Sequence, residues 1–273
     1  MTMSQEDERT IAARLIEAYD GVRTIAPITR ERPDFDVAAG YRVLDAIERQ
    51  RIAQGWKPVG RKIGFTNTTI WQRYGVYQPM WARTWSHTVY RAEHNRATLS
   101  VRAFSLPRIE PEVVLGLERA PRSDDPGELV ECVAWIAPGF EIVQSHFPDW
   151  KFEAADCTAA FGLHGALVIG DRVALTSDNR VAIVELLPRF HLTLRKGDAI
   201  VDRGVGSNVL GGPLHALAHL VRVLAQQPDA PPLAAGEIVT TGTISDAWPV
   251  AAGESWSSDY GELPVPGLRL SFT

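Results

Sequence analysis

The stretch R-I-E-P-E-V-V-L-G-L, Arg108 to Leu117, sets two acids inside a run that otherwise demands a core. Side chains of a strand alternate between faces, so Glu110 and Glu112 share one face. Ile109, Pro111, Val113, Leu115 and Leu117 make an apolar stripe on the other. At a rise of ~3.3 Å per residue the two acids stand ~6.6 Å apart. Like charges so close repel, and partial burial makes the ionised pair costly. A fold built on this strand must turn that face to water, pair it with basic side chains, or neutralise it with a divalent cation. Hard oxygen ligands suit Mg2+ or Mn2+, bound at ~2.0–2.2 Å. The segment A-P-G-F-E-I-V-Q-S, 137 to 145, buries a third acid, Glu141, in the same way. Ion pairing with distant arginines remains the competing explanation.

The texture around these strands limits the fold class. Residues 7 to 56 carry the helical period, with Ile11, Leu15, Tyr19 and Val22 in one stripe and Val37, Tyr41, Leu44 and Ile47 in a second. Asp36 is placed to cap the second helix, and Gly55 to end it. From Lys57 onward the chain breaks into short β-rich pieces punctuated by Gly and Pro. The expected strands are 97–101, 109–117, 140–145, 165–169, 181–187, 191–194, 237–241 and 268–272. Helices are expected near 128–135 and after Gly211-Gly212-Pro213, where Leu214, Leu217, Val221 and Leu224 share a face. Without β-α alternation, the expected class is α+β: a helical region over 1–56 and a mixed β-sheet roll or sandwich over 57–273. The glycines of G-V-G-S-N-V-L-G-G-P lack the spacing of a phosphate-binding loop and read as a turn into the helix at Pro213.

Composition removes several function classes. A net charge of −5 without a long basic run argues against nucleic acid or an anionic membrane as partner. Two cysteines support neither a disulfide framework nor a cysteine-rich zinc site. The acidic start M-T-M-S-Q-E-D-E-R is the opposite of a signal peptide, and no apolar run approaches ~20 residues. A soluble protein of the reducing cytoplasm is expected.

Lys62, in G-R-K-I-G-F-T-N, sits among glycines that let other groups approach its backbone. Beside a divalent cation its ammonium form is disfavoured, which lowers its pKa toward proton transfer; an ordinary exposed lysine is the other reading. That run, with G-V-Y-Q-P at 75–79, R-I-E-P-E-V-V-L-G-L, A-P-G-F-E-I-V-Q-S, D-W at 149–150, A-D-C-T-A-A-F-G at 155–162 and A-G-E-I-V-T-T-G-T at 235–243, resembles the 2-keto-4-pentenoate hydratase and 4-oxalocrotonate decarboxylase family of the fumarylacetoacetate hydrolase superfamily. The resemblance spans nearly the whole chain. It implies Mg2+ or Mn2+ held by Glu110, Glu112 and Glu141, with Lys62 and Asp156 as acid-base groups. It also implies that the Thr241, Gly242, Thr243 turn contacts a substrate carboxylate, with Ile63, Gly64 and Tyr77 near the substrate. The implied substrate is a 2-oxo or 2-hydroxydienoic acid from aromatic-compound degradation, and the implied assembly a homo-oligomer.

This chain departs from the family pattern around the distal carbons. Tyr77 stands where an acid is usual, Gln144 and His146 replace the D and R of E-I-V-D-S-R, and Ala159 and Ala160 replace a small-hydroxyl pair. Trp71, Trp81 and Trp85 crowd the region after Lys62. A hydratase or decarboxylase is the leading expectation, with the altered distal region pointing to a bulkier or aromatic 2-oxo acid as substrate. Carbon–carbon bond hydrolysis on the same site is a second, with His146 or His164 as general base. A binding descendant without chemistry is the third.

Overall fold

The strand that carries two acids lies well inside the larger of two curled sheets. The structure is a computed structural model and describes residues 3–227 and 229–273. Its strands, in chain order, are β1 (Pro58–Gly64), β2 (Met80–Trp85), β3 (Val89–Arg91), β4 (Arg96–Leu99), β5 (Arg108–Leu117), β6 (Val133–Val143) and β7 (His164–Ile169). There follow β8 (Val173–Ala174), β9 (His191–Lys196), β10 (Ala199–Val205), β11 (Ile238–Thr240), β12 (Trp248–Pro249), β13 (Ser255–Asp259) and β14 (Leu268–Phe272). The larger sheet runs β2-β1-β11-β5-β6-β7-β3, with β12 beside β5 and β8 beside β6; the smaller runs β10-β9-β13-β14-β4. Both are mixed: β1 with β11, β3 with β7 and β4 with β14 are parallel.

Alternation decides what each face of the larger sheet meets. Ile109, Phe140, Ile142, Ala166 and Val168 pack on Leu194, Trp256, Leu268, Leu270 and Phe272 of the smaller sheet. Further along the same face, Val113, Leu115, Ile136 and Val239 meet Leu214, Leu217, Leu220 and Leu224 of helix Pro213–Ala225. Each fully buried Leu or Ile there contributes ~1.5–3 kcal/mol by leaving water. The opposite face bears the acids.

A helical arm closes over that second face. It consists of α1 (Gln5–Asp20), the short α2 (Ile28–Glu31) and α3 (Val37–Ala53). Ser4 caps α1, and the Asp36 carboxylate accepts from the Ala39 amide at 2.8 Å to start α3. Ile11, Leu15, Val43 and Ile47 pack with Phe147, Ala155, Ala159 and Phe161, so the arm grips the segment that walls the acidic face.

Mixed sheets with helices at the N-terminus match the expected class; two elements differ from expectation. Of residues 181–187, expected as a strand for their β-branched Val181, Ile183 and Val184, all but the capping Leu187 belong to helix Arg180–Leu186, in which Ile183 is buried and Val181 is largely exposed. The Asn179 side chain accepts from the Thr176 amide and closes the turn that launches it. The helix expected over 128–135 stops early, as Pro126–Leu129 and one tighter turn at Val130–Cys132. Val133 and Trp135 instead pair with Leu117 and Gly116, and the ladder overrides the helical pattern. Among the described residues no helix is long and apolar enough to cross a membrane.

Candidate metal centre

Register assembles the site. Glu110 of β5 lies directly opposite Glu141 of β6, and Glu112 lies opposite Gly139, where a Cβ would meet Val114 Cγ2 at 2.6 Å. Lys62 of β1 aligns with Thr240 of β11, which aligns with Val114 of β5, so Lys62 shares the face of all three acids. One oxygen from each of Glu110, Glu112 and Glu141 lies within 4.8 Å of the others. Glu112 and Glu141 are fully buried and Glu110 is 9 % exposed.

Each acid is held by different partners. Glu112 Oε2 accepts the Gly242 amide at 2.8 Å. Glu141 Oε1 lies 2.8 Å from His164 Nδ1, whose Nε2 is 2.8 Å from the Thr88 hydroxyl. Glu141 Oε2 lies 3.3 Å from Lys62 Nζ, which donates to the Gly162 carbonyl at 2.9 Å. The amide at Gly242 reaches Glu112 only because the backbone there is left-handed, φ 96°, and a Cβ would meet Thr66 Oγ1 at 1.8 Å.

The electrostatics are those of a site short of positive charge. Burial, with Glu141 beside it, pushes Glu110 up to about 7 against the pull of Lys62. Burial and the two neighbouring acids push Glu112 well above the carboxylate range. Burial also works against ionised Glu141, but Lys62 and His164 outweigh it and hold that carboxyl at about 2. For Lys62, burial is outweighed by the three acids, which raise its pKa. Three carboxylates against one ammonium leave two negative charges, the amount one dication neutralises. Glu112 Oε1 is buried without a hydrogen bond and Glu141 Oε2 has only its 3.3 Å ion pair with Lys62, an arrangement that a hard cation resolves. The donor set fits Mg2+ or Mn2+.

Beside the acids lies a narrow cleft walled by Phe65, Ile70, Tyr74, Val143, Trp150, Leu163 and Ala247, with Lys62, Gly64, Glu110 and Thr243 at its polar end. Its cavity of about 20 Å³ holds roughly one water, so a substrate must part these walls. Phe65, Trp150 and Leu163 have left-handed backbones, φ 57°, 57° and 64°, a strain of ~1–3 kcal/mol each that gathers at one place.

Not every residue singled out in the sequence enters this cleft. Lys62, Gly64, Glu110 and Thr243 line it, and Glu112 and Glu141 form its floor. Thr241 is turned inward, its hydroxyl donating to the Val113 carbonyl. Ile63 follows Lys62 on a strand, so its side chain points into the opposite core. Tyr77 is 63 % exposed, because Val76 takes the buried position beside it, and its ring meets Trp71 instead. Asp156 is buried away from the acids: it accepts the Thr29 amide and hydroxyl at 3.0 and 2.6 Å and the Glu153 amide at 2.9 Å. His146 packs against Tyr19 of the arm, and Gln144 bonds backbone groups of Ser105 and His164. The pairing of His164 with Glu141, the Gly162 carbonyl on Lys62 and the Tyr260 hydroxyl on the Glu112 carbonyl, 2.7 Å, have no signature in the sequence. Only the position of His164 near a strand end marked it for notice.

Comparison with known proteins places this geometry. The family model described as fumarylacetoacetate hydrolase C-terminal matches residues 73–263. The chain is 29% identical over 266 residues to the 2-keto-4-pentenoate hydratase of Paraburkholderia phymatum, covering 97% of each chain. It is 30% identical over 251 residues to the 2-hydroxyhexa-2,4-dienoate hydratase of Comamonas testosteroni, covering 90% of each. Against the 4-oxalocrotonate decarboxylase of Pseudomonas sp. strain CF600 it is 25% identical over 272 residues, covering 98% of each. The solved structure of 4-oxalocrotonate decarboxylase from Pseudomonas putida G7, complexed with magnesium and adipate, shares the fold at a TM-score of 0.89 and 23% identity, covering 100% of this chain and 99% of that one.

Proposed function

Because the chain belongs to the fumarylacetoacetate hydrolase family, we propose that it is a divalent-metal-dependent lyase, a hydratase or decarboxylase acting on a 2-oxo or 2-hydroxydienoic acid. One observation carries the reading: three buried carboxylates converge within 4.8 Å on the face that also bears Lys62. Glu110, Glu112 and Glu141 would hold Mg2+ or Mn2+, which when bound would supply positive charge against the negative charge that both reactions develop.

The protein's own groups divide the remaining work. Gly242 N–H and His164 fix the directions of Glu112 and Glu141, as partners behind ligating groups do. Lys62 is the amine of the cleft; Nζ, held between Glu141 and the Gly162 carbonyl, is placed to move a proton between substrate oxygen and carbon. Thr243, at the polar end, receives the substrate carboxylate. The apolar walls exclude water from the dienyl chain. Asp156, saturated by three donors, positions the segment leading to Gly162.

No observation favours carbon–carbon hydrolysis, since His146 faces the arm and His164 is committed to Glu141. With 2-hydroxypenta-2,4-dienoate or its 5-carboxylated relative as substrate, chelation abolishes turnover and Mg2+ or Mn2+ restores it. Glu112→Ala loses both metal binding and turnover. Turnover indifferent to chelation, with Glu112→Ala fully active, would falsify the proposal. Release of CO2 separates decarboxylation from hydration.

A further inference from the structure

Arg108 opens β5 on the same face as Glu110 and Glu112, two residues or ~6.6 Å along the strand from Glu110. The chain matches its other inward arginines with carboxylates: Arg51 with Asp20, Arg61 with Glu237 and Arg83 with Glu48. Arg108 makes no such pair among the described residues. Its Nη1 donates to the Tyr74 hydroxyl at 2.6 Å and to the Ala247 carbonyl at 3.3 Å. The guanidinium lies 4.4 Å from the centre of the Trp150 ring and 5.7 Å from that of Tyr74. Tyr74, Ala247 and Trp150 are walls of the cleft, so a half-buried cation stands at its rim, aimed by stacking and hydrogen bonds.

A guanidinium is a planar fork that matches a carboxylate with two parallel bonds, and here Nε and Nη2 hold no hydrogen bond among the described residues. The cleft that Glu110 and these contacts of Arg108 share has hydrocarbon walls from Phe65, Ile70, Val143 and Leu163. The cleft thus brings together cation-binding acids, apolar walls and, beside its walls Tyr74, Trp150 and Ala247, a cation that pulls on Glu110 yet forms no ion pair among the described residues. We infer that Arg108 reads a second carboxylate at the far end of the substrate, so that the preferred substrate is a dicarboxylic 2-oxo acid. The inference rests on the metal-centre reading above and adds the residue that sets specificity.

Calorimetry of the whole protein in Mg2+ tests it with three inert probes: oxalate, 2-oxohexanoate and 2-oxoadipate. Wild type holds 2-oxoadipate at least roughly tenfold more tightly than 2-oxohexanoate, as a charge-assisted paired bond requires. In Arg108→Gln that ratio collapses toward one while oxalate still binds, which shows the centre intact. Arg108→Lys, keeping charge without the fork, gives a ratio between the two. A wild-type ratio near one, or a wild-type ratio surviving in Arg108→Gln, overturns the assignment and leaves the metal centre standing. If Arg108→Gln loses oxalate as well, Arg108→Lys decides, and a ratio equal to wild type's overturns the inference. Failure of oxalate to bind wild type in a cation-dependent way sinks the metal-centre reading and this inference with it.

Discussion

A carboxylate that is neutral at neutral pH because it is buried among other carboxylates must surrender its proton to bind a cation. Glu110, pushed up to about 7, keeps its proton in part there, and Glu112 is likewise pushed well above the carboxylate range. Their raised values mean that the metal-free folded protein binds more protons than the unfolded chain between 4.5 and about 7, so their contribution to stability is lost as pH rises through that window. Glu141, held near 2, works oppositely and loses its contribution only as pH falls below 4.5. Apparent Mg2+ affinity should therefore climb as pH rises toward 7. Titrations in buffers of different ionisation heat should detect released protons; an affinity flat across that range would contradict the assignment of ligands. The three acids and Lys62 were legible because charge inside an apolar strand is conspicuous. Arg108 was not, since an arginine at a strand's first position reads as surface. Tyr77 and Ile63 show the limit of motif reading: neighbours in one motif alternate faces, and only the pleat tells which side reaches the cleft.

At the scale of elements, the arm and the segment 147–163 act as one clamp over the acidic face. Asp156 links them by taking three donors, two from Thr29 of α2 and one from Glu153 at the start of helix Ala154–Ala159. Asp156→Ala should destabilise by ~3 kcal/mol, at about 1 kcal/mol per hydrogen bond lost, as read by urea unfolding. Asp156→Asn, which keeps the shape, should destabilise less and leave both limbs of the pH–rate profile in place. A missing limb with unchanged stability would mean that this carboxyl moves a proton after all. Strands β5, β7, β9, β11 and β14 and the capped helices α1 and α3 were legible from period and punctuation, whereas β1, β2, β10 and β13 were not, because charged and small residues interrupt their apolar runs. The helix Arg180–Leu186 was not, because its β-branched residues prefer a strand and only the turn at Thr176–Asn179 diverts them. Nor was the early end of the 128–135 helix, which depends on a partner strand far away in sequence.

For the molecule as a whole, a cation that binds only the folded state stabilises it by mass action. At a concentration of 100 Kd the gain is ~2.7 kcal/mol. Thermal melts should shift upward with Mg2+ or Mn2+, return on chelation, and show no shift in Glu112→Ala. An equal shift in that variant would point to a cation held elsewhere.

The insertion of β11 between β1 and β5 has a bearing on synthesis. Ile238–Thr240 is the slat that joins the lysine's strand to the strand of the first two acids, and Gly242 just beyond it supplies the amide on Glu112. A ribosome delivers that slat only after nearly everything else has emerged. Before it arrives β5 and β6 can already pair and set Glu110 opposite Glu141, but Lys62 shares no sheet with them and Glu112 lacks the Gly242 amide. Completion of the proposed centre therefore waits for this slat, and a product truncated before it should stay inactive when metal is supplied.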